Sequence, residues 1–145
     1  MVRIAEKNDI EGVVDLLMEY RDFYGVKIQD RTEAVRFIMQ RMENCESKIF
    51  VAMDGDNYVG FIQLYPSFST VSLKRQWILN DLYVKEEYRN KGYGTALMTA
   101  VKNHFKESAK GFVLLTGKDN ITAQKFYSGN GWESGIYDVY TFFYN

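Results

Sequence analysis

Three strand-like runs follow one another in the middle of the chain and constrain its fold more than any other feature. Lys48 to Met53 and Tyr58 to Tyr65 are rich in β-branched and aromatic residues, and an Asp-Gly-Asp-Asn sequence typical of a tight turn separates them. The third run, Gln76 to Val84, is apolar on both faces except at Asn80 and Asp81, as expected of an interior strand. We therefore predict a sheet that begins as a hairpin.

Helical and strand-like patterns alternate around these runs. Apolar residues recur at helical spacing after the possible caps Asn8 or Asp9 and after Asp30 or Thr32. Further helices are predicted from Thr95 to about Phe105 and from Thr122 to Tyr127. Short strands are predicted at Val2 to Ile4, Phe112 to Leu115, Trp132 to Ser134 and Tyr137 to Tyr144. The order indicates a mixed α and β fold with antiparallel and parallel strand pairs.

Composition narrows the class of protein. A chain of 145 residues with 46% hydrophobic residues and no linker-like tract is expected to form one domain, residues 1–145. Its 18 basic and 19 acidic residues argue against nucleic acid as a partner. No apolar run is long enough for a membrane span or a signal sequence, and the single cysteine, Cys45, cannot form an internal disulfide. We expect a cytoplasmic protein with no membrane partner.

A glycine-bearing loop lies between the third strand and the helix near Thr95. Its sequence is Arg89-Asn90-Lys91-Gly92-Tyr93-Gly94. A loop that opens a helix directs free backbone N–H groups at one point, and glycine lets a phosphate approach the main chain closely. The P-loop ending is absent, and Leu97 stands where a dinucleotide fingerprint would have glycine. The loop taken alone indicates either an anion site or a simple turn.

Two further segments identify the family that the chain resembles. Leu82-Tyr83-Val84 precedes the loop, and Asn120-Ile121-Thr122-Ala123-Gln124-Lys125-Phe126-Tyr127 follows it, with Gly131-Trp132 beyond. In this order and spacing the segments resemble the GNAT superfamily of acyl-CoA N-acyltransferases over nearly the whole chain. The resemblance implies a GNAT fold, an α/β (α+β) class with a mixed, mostly antiparallel sheet of six to seven strands flanked by about four helices.

The resemblance also implies which residues bind acetyl-CoA, the expected cosubstrate. The strand backbone would pair with the pantetheine amides, the loop amides would bind the pyrophosphate, and the later helix would flank the thioester. The residues so implied are Leu82, Tyr83, Val84, Arg89, Asn90, Lys91, Gly92, Tyr93, Gly94, Thr95, Asn120, Ala123, Phe126 and Tyr127. No metal is expected.

The implied reaction is direct attack of a primary amine on the acetyl thioester, and it needs a base, an oxyanion donor and an acid for the leaving sulfur. Tyr127 matches the position of the family's catalytic tyrosine, although without the family match it would read as a core aromatic. Asp81 or Asn80 could hold a water that takes the amine proton, or the two could satisfy neighbouring backbone groups. We predict Tyr127 and Asp81 as the catalytic residues.

The acceptor is expected to be a small-molecule amine. The fold would bring it to an aromatic set with some acidic character, from which we predict Tyr20, Asp22, Tyr24, Tyr65 and Trp77 as substrate residues. The same residues could simply pack the helices. The alternative function is a non-catalytic acyl-CoA-binding sensor or scaffold of the GNAT fold. A long aromatic strand at the C-terminus, expected near a sheet edge, further predicts a homodimer.

Overall fold

The computed structural model describes all 145 residues, which separate into two compact units, Met1–Leu114 and Leu115–Asn145. The first unit contains a five-stranded sheet in the sequential order β1-β2-β3-β4-β5. Its strands are β1 (Val2–Ile4), β2 (Lys48–Asp54), β3 (Asn57–Ser69), β4 (Lys74–Val84) and β5 (Phe112–Val113). The four α-helices are α1 (Ile10–Phe23), α2 (Arg31–Glu43), α3 (Tyr93–Phe105) and, in the second unit, α4 (Ile121–Gly129).

The sheet is antiparallel from β1 to β4, and β5 joins it in parallel. The predicted hairpin is confirmed: Asp54 pairs with Asn57 across a turn in which Gly55 has a φ of 58°, a left-handed conformation that glycine adopts at little cost. β5 is much shorter than β4 and pairs with it only at Trp77 and Ile78. Beyond Ile78, the edge of β4 that faces away from β3 therefore has no neighbouring strand.

A bulge interrupts the pairing of β3 with β4. Gln63 lies opposite Asp81 and Leu64 lies opposite Leu79, which leaves Asn80 as an extra residue in β4. Because successive side chains alternate between the two faces of a strand, one extra residue exchanges the faces on either side of it. Asp81 therefore shares a face with Gln63, whereas Leu79 shares the opposite face with Leu64.

The helices cover both faces of the sheet. α1 and α2 pack on one face, in a core that includes Val13, Ile38, Val51 and Phe61. α3 packs on the other face, where Phe105 lies 4.6 Å from the ring of Trp77 between centroids. The predicted mixed α/β class, the mostly antiparallel sheet and the four helices are confirmed.

A buried charge cluster fastens the start of the chain to the sheet. The Asp9 carboxylate, 3% exposed, accepts two bonds from the Arg3 guanidinium at 2.7 and 2.8 Å and one from the Glu6 N–H at 2.7 Å. The Tyr58 hydroxyl on β3 donates to it as well, at 2.5 Å.

The ring of Tyr58 lies directly against Gly12 of α1, where any Cβ would overlap it. Glycine inside this helix is therefore explained by the space that the tyrosine occupies.

The second unit is built around α4. The Asn120 side chain caps the helix by accepting a bond from the Ala123 N–H at 3.2 Å, and the Trp132 N–H returns to the Tyr127 carbonyl at 3.1 Å. The strands predicted at 132–134 and 137–144 are wrong, because this unit contains no strand. The sheet accordingly has five strands rather than the six to seven expected. The expectation of a single domain stays a prediction.

The structure also differs from the prediction at the ends of one helix and one strand. The third helix begins at Tyr93, two residues before the predicted Thr95, and the fifth strand ends at Val113 rather than Leu115. The helix starts early because Gly92 caps it with its backbone: the Ala96 N–H bonds to the Gly92 carbonyl at 2.9 Å. No helix has the length and apolar character that crossing a membrane would require.

Candidate functional site

The open edge of β4 leads directly into the glycine-bearing loop. After Val84 the chain makes a short 3-10 turn, Glu86–Tyr88, and reaches α3 through Asn90 and Gly92. These two residues have φ values of 59° and 87°. A left-handed conformation at a residue other than glycine carries a steric cost, and asparagine is among the residues that tolerate it best. The loop is thus held in a conformation that reverses the chain into the helix.

The start of α3 presents backbone donors. Its first intrahelical bond runs from the Ala96 N–H to the Gly92 carbonyl, and no side chain caps the helix. The N–H groups of Tyr93, Gly94 and Thr95 lie before that bond and have no partner within the helix. Together with the helix dipole, such donors favour an anion.

The two basic side chains of the loop turn back onto the protein. Arg89 donates from Nε to the Val84 carbonyl at 2.9 Å, and its guanidinium lies 5.6 Å from the ring centroids of both Phe23 and Tyr83. Lys91 Nζ lies 5.4 Å from the ring centroid of Tyr88. Arg89 therefore ties the end of β4 to α1, a contact that the sequence did not indicate.

A buried carboxylate lies at the bulge. Asp81 is 8% exposed, and its Oδ2 accepts a bond from Gln63 Nε2 at 2.9 Å and one from Asn80 Nδ2 at 3.1 Å. Burial raises the pKa of Asp81, and the bonds from Gln63, Asn80 and Tyr20 oppose the rise only in part. All three donors are neutral, so the carboxylate has no cation among its hydrogen-bond partners. A carboxyl group of this kind holds its proton more strongly than one in water.

The bulge also changes how Asn80 and Asp81 are arranged. The sequence predicts them on opposite faces, and Asn80 is indeed exposed while Asp81 is buried. The two side chains nevertheless bond to each other. Asn80 thus connects the buried carboxylate to the solvent-exposed side of the strand.

Several predicted substrate residues lie on the Asp81 face of the sheet. The Tyr20 ring on α1 lies 6.0 Å from Phe61 and 5.9 Å from Tyr83, measured between centroids. Burial and the nearby Asp81 charge raise the pKa of Tyr65 to about 12. Burial and Glu19 similarly raise the pKa of Tyr83 to about 12. These phenols stay protonated at neutral pH.

The other predicted substrate residues lie at the surface or on the opposite face of the sheet. Tyr24 is 60% exposed and lies 4.9 Å from the ring of Tyr20 between centroids. Asp22 pairs with Lys27 at 3.0 Å on the surface. Trp77 is separated from Asp81 by the bulge and packs on the opposite face, against α3. Plain alternation would have placed Trp77 and Asp81 on one face; the extra residue Asn80 prevents it.

The predicted residues of the second unit all lie on or at the start of α4. Asn120 is its N-cap, and Ala123, Phe126 and Tyr127 are half-buried along it. The Tyr127 ring lies 5.8 Å from Trp132 and 5.6 Å from Phe126 between centroids. The side-chain oxygen of Asn120 is used by the cap itself. The helix thus begins with a residue that performs a structural task as well as any binding task.

Two residues were missed by the sequence reasoning. Gln63 is 1% exposed, donates to Asp81, and leaves its own Oε1 buried without a partner. It is the one polar side chain between Val59 and Leu64, a signal that could have been used. Glu19 accepts from the Tyr83 hydroxyl at 3.2 Å and pairs with Lys85 at 3.5 Å. Nothing in the sequence pattern of α1 distinguishes Glu19 from an ordinary solvent-exposed residue.

Comparison with known proteins identifies the family of the chain. The model of the Acetyltransferase (GNAT) family matches residues 12–132. The chain is 40% identical over 133 residues to an uncharacterized N-acetyltransferase, YhfO, of Bacillus subtilis (strain 168), covering 91% of this chain and 89% of that protein. It is 32% identical over 73 residues to the L-ornithine N5-acetyltransferase NATA1 of Arabidopsis thaliana, covering 50% of this chain and 32% of that protein.

A solved structure shares the fold over the full length. The crystal structure of a probable acetyltransferase superposes with a TM-score of 0.93 at 35% sequence identity, covering 100% of this chain and 98% of that one. Within the structure, no group of three or more His, Cys, Asp or Glu side chains is arranged to hold a metal ion. The family model, the relatives and the fold agree, and the chain belongs to the GNAT family of acetyltransferases.

Proposed function

We propose that this protein transfers the acetyl group of acetyl-CoA to a primary amine of a small molecule by direct attack in a ternary complex. The observation that carries the proposal is the open edge of β4, which runs into a helix start that no side chain caps. The edge offers backbone groups between Leu79 and Val84, and α3 offers the free N–H groups of its first turn. Acetyl-CoA has the matching chemistry, an amide-bearing arm followed by a pyrophosphate.

The donor is assigned to the residues that the family resemblance implied. The backbone of Leu82 to Val84 pairs with the pantetheine amides, as a neighbouring strand would, and residues 89–95 hold the pyrophosphate. The left-handed Gly92 supports this role because a side chain there would strain the loop. Asn120, Ala123 and Phe126 are assigned to the arm and the thioester end, on the family resemblance alone.

Asp81 is assigned to the removal of the amine proton. Its raised pKa and its neutral hydrogen-bond partners support this assignment, because a carboxylate without a cation is a better proton acceptor than an ion-paired one. Asn80 is exposed beside it and can hold a water between Asp81 and the amine. A backbone N–H near Leu82 or Tyr83 is assigned to the oxyanion.

Tyr127 is assigned as the acid that protonates the leaving thiolate. A phenol has an ordinary pKa of about 10 and is therefore protonated at neutral pH. Tyr127 is half-buried on α4. Its role as the acid is assigned on the family match.

The acceptor is proposed to be a cationic amine with an apolar or aliphatic stem. Tyr20, Tyr24 and Tyr83 provide aromatic faces, and Glu19 lies beside them with a carboxylate. Aromatic faces and carboxylates both attract ammonium groups. The relative named as an L-ornithine N5-acetyltransferase supports an acceptor with a terminal amine on a short chain.

The test is a panel of amines assayed for acetyl-CoA-dependent thiol release, with diamines, ornithine-like amino acids, amino sugars and a peptide N-terminus. Tyr127→Phe should lower turnover by about 10²- to 10⁴-fold, the usual worth of general acid catalysis, and leave acetyl-CoA binding unchanged in calorimetry. Tyr137→Phe, which removes a hydroxyl from an 81% exposed tyrosine, is the matched control. Tight acetyl-CoA binding without turnover on any amine would instead make the protein an acyl-CoA sensor.

A further inference from the structure

Gln63 lies in the middle of β3, and half of its amide group has no partner. Its neighbours in the strand, Ile62 and Leu64, are apolar and fully buried. Gln63 Nε2 donates to Asp81 Oδ2 at 2.9 Å, whereas Oε1 is buried without a hydrogen-bond partner. A buried acceptor that stays unpaired lowers stability, so stability alone does not explain a glutamine at this position.

The pairing of the strands fixes Gln63 beside Asp81. The two residues lie directly opposite each other in β3 and β4, so their side chains share one face of the sheet. Asn80, the extra residue of the bulge, donates from Nδ2 to the same Oδ2 at 3.1 Å. Both amides therefore present N–H donors to Asp81 Oδ2. This arrangement suits a carboxylate, which only accepts hydrogen bonds.

The same arrangement does not suit the protonated form of Asp81. A proton on Oδ2 makes that oxygen a hydroxyl, which needs an acceptor, and both amides beside it present donors. Asn80 is exposed and can exchange its bond for one with water, whereas Gln63 is buried. Gln63 nevertheless carries an acceptor, because half a turn about its last side-chain bond puts Oε1 in the place of Nε2. The oxygen and nitrogen of an amide differ little in size, so this turn needs no extra space.

We propose that Gln63 is a positioning residue for Asp81, and that its amide turns over as Asp81 gains and loses the amine proton. Nε2 donates to the carboxylate, and after the turn Oε1 accepts from the Oδ2 hydroxyl. Either orientation makes one bond to Asp81 and leaves the other end of the amide unpaired, so the turn loses no buried hydrogen bond. The proton comes from the acceptor amine through the water assigned beside Asn80 and leaves to solvent by the same route. This role of Gln63 rests on the proposed role of Asp81 as the base.

Other ionisable groups also lie on this face of the sheet. They are Glu19 and Tyr20 on α1, Arg41 on α2, Tyr65 on β3, Tyr83 on β4 and Lys85 just beyond it. Burial raises the pKa of Tyr65 and of Tyr83 to about 12, so neither titrates together with Asp81. Glu19 is bonded to Tyr83 and paired with Lys85. β5 has no titratable side chain, and α3 packs on the other face. A change in the titration of Asp81 on substitution of Gln63 therefore reports on the bond between these two residues.

The first experiment measures the pH dependence of kcat/KM for the wild type, Gln63→Met and Gln63→Glu. Methionine keeps the length of the side chain but removes the N–H donor, so the pKa of Asp81 should rise. The acid limb of the profile should move to higher pH, and kcat/KM on that limb should fall by about tenfold or more, the worth of a hydrogen bond to a charged group. Glutamate places a second carboxyl beside Asp81 and should move the limb further.

Gln29→Met is the matched control for the first experiment. It removes an amide that donates to the Met18 carbonyl at 2.8 Å, and it should leave the acid limb in place. Thermal denaturation of each variant checks that it is folded. An unmoved limb in folded Gln63→Met overturns the proposal, because a side chain that only fills space does not alter the titration of Asp81.

The second experiment follows the side-chain amide of Gln63 in the wild-type protein by nitrogen–proton NMR as the pH is lowered. Gln63→Met identifies the signal by its absence. The proton bonded to Asp81 should move toward the position of an unbonded amide, with the midpoint of the kinetic limb, and should not titrate in Asp81→Asn. A signal that keeps its position shows that Nε2 stays on Asp81 and overturns the turn of the amide. This readout needs no substrate, so the coupling of the two side chains and the catalytic role of Asp81 can fail separately.

Discussion

Two buried aspartates, Asp9 and Asp81, show how the same side chain serves different ends in this protein. Both are buried. Asp9 lies against a guanidinium, and the Arg3 hydrogen bonds hold the pKa of its carboxyl far below the ordinary 3.8. Asp81 is bonded by neutral groups only, and burial raises its pKa above the same value. A buried carboxylate with a cation is a fixed charge that holds structure, whereas one without a cation is free to exchange a proton.

The largest effect that this comparison predicts is on catalysis at Asp81. Asp81→Asn keeps the size of the side chain and an oxygen for Gln63, but it cannot accept the amine proton. We expect kcat/KM to fall by about 10²- to 10⁴-fold, with a melting temperature close to that of the wild type. Steady-state kinetics on the best amine of the panel, together with thermal denaturation, checks both. Full activity in a folded variant would show that Asp81 is only a structural residue.

Asp9→Asn should have the reverse effect of Asp81→Asn: it should lower stability and leave catalysis nearly unchanged. The substitution leaves Arg3 without its charge partner and weakens the bond from Tyr58, so the free energy of unfolding should fall by roughly 2–3 kcal/mol. Arg3 keeps 38% of its side chain exposed, so water compensates part of the loss. Chemical denaturation measures the stability, and kcat at a temperature where the variant is folded should be near the wild-type value. A large loss of kcat in the folded variant would contradict the division between the two sites.

The sequence predicts those features of the two sites that depend on residues close together in the chain, and it misses those that depend on residues far apart. The hairpin turn and the loop from Arg89 to Gly94 are set by residues close in sequence, and both were predicted. The bulge at Asn80 depends on the pairing of Asp81 with Gln63, which lies 18 residues before it in the chain, and no local pattern encodes that register. Its consequence, the separation of Trp77 from Asp81, was therefore missed.

The prediction of C-terminal strands was wrong for a related physical reason. Alternation and β-propensity at residues 137–144 predict a strand, but a strand exists only where a neighbouring strand supplies hydrogen bonds, and none pairs with these residues. The cofactor residues, in contrast, were named from motifs, and their elements are where the motifs require: a strand end, a helix start and a second helix cap. Their binding roles stay a prediction.

The pH dependence of stability should have opposite signs for the two aspartates. The pKa of Asp9 is lowered by folding, so its contribution is present above the ordinary value of 3.8 and is lost as pH falls below it. The pKa of Asp81 is raised by folding, so the native state binds the extra proton, and stability falls as pH rises above 3.8 through the raised pKa.

Chemical denaturation between about pH 3 and pH 7 tests these signs with the same two variants. The stability deficit of Asp9→Asn should shrink as pH falls below 3.8, because the unfolded wild type then binds a proton at Asp9 whereas the native state keeps the carboxylate ionised. Asp81→Asn should gain relative to the wild type as pH rises, because it has no proton to lose. Parallel curves for the wild type and either variant would show that the corresponding pKa is not shifted.

The smallest expected effect is at the tyrosine that completes the Asp9 cluster. Tyr58→Phe removes a hydroxyl that donates to Asp9 but keeps the ring against Gly12. The unfolding free energy should fall by about 1 kcal/mol, the net worth of one hydrogen bond, or somewhat more because the acceptor is charged. Tyr83→Phe is the matched control for stability, since its hydroxyl donates to the exposed Glu19 and an exposed bond is readily replaced by water. If both substitutions cost the same, Arg3 and the Glu6 N–H are sufficient to fix Asp9, and the hydroxyl of Tyr58 adds nothing to the attachment of the chain start to the sheet.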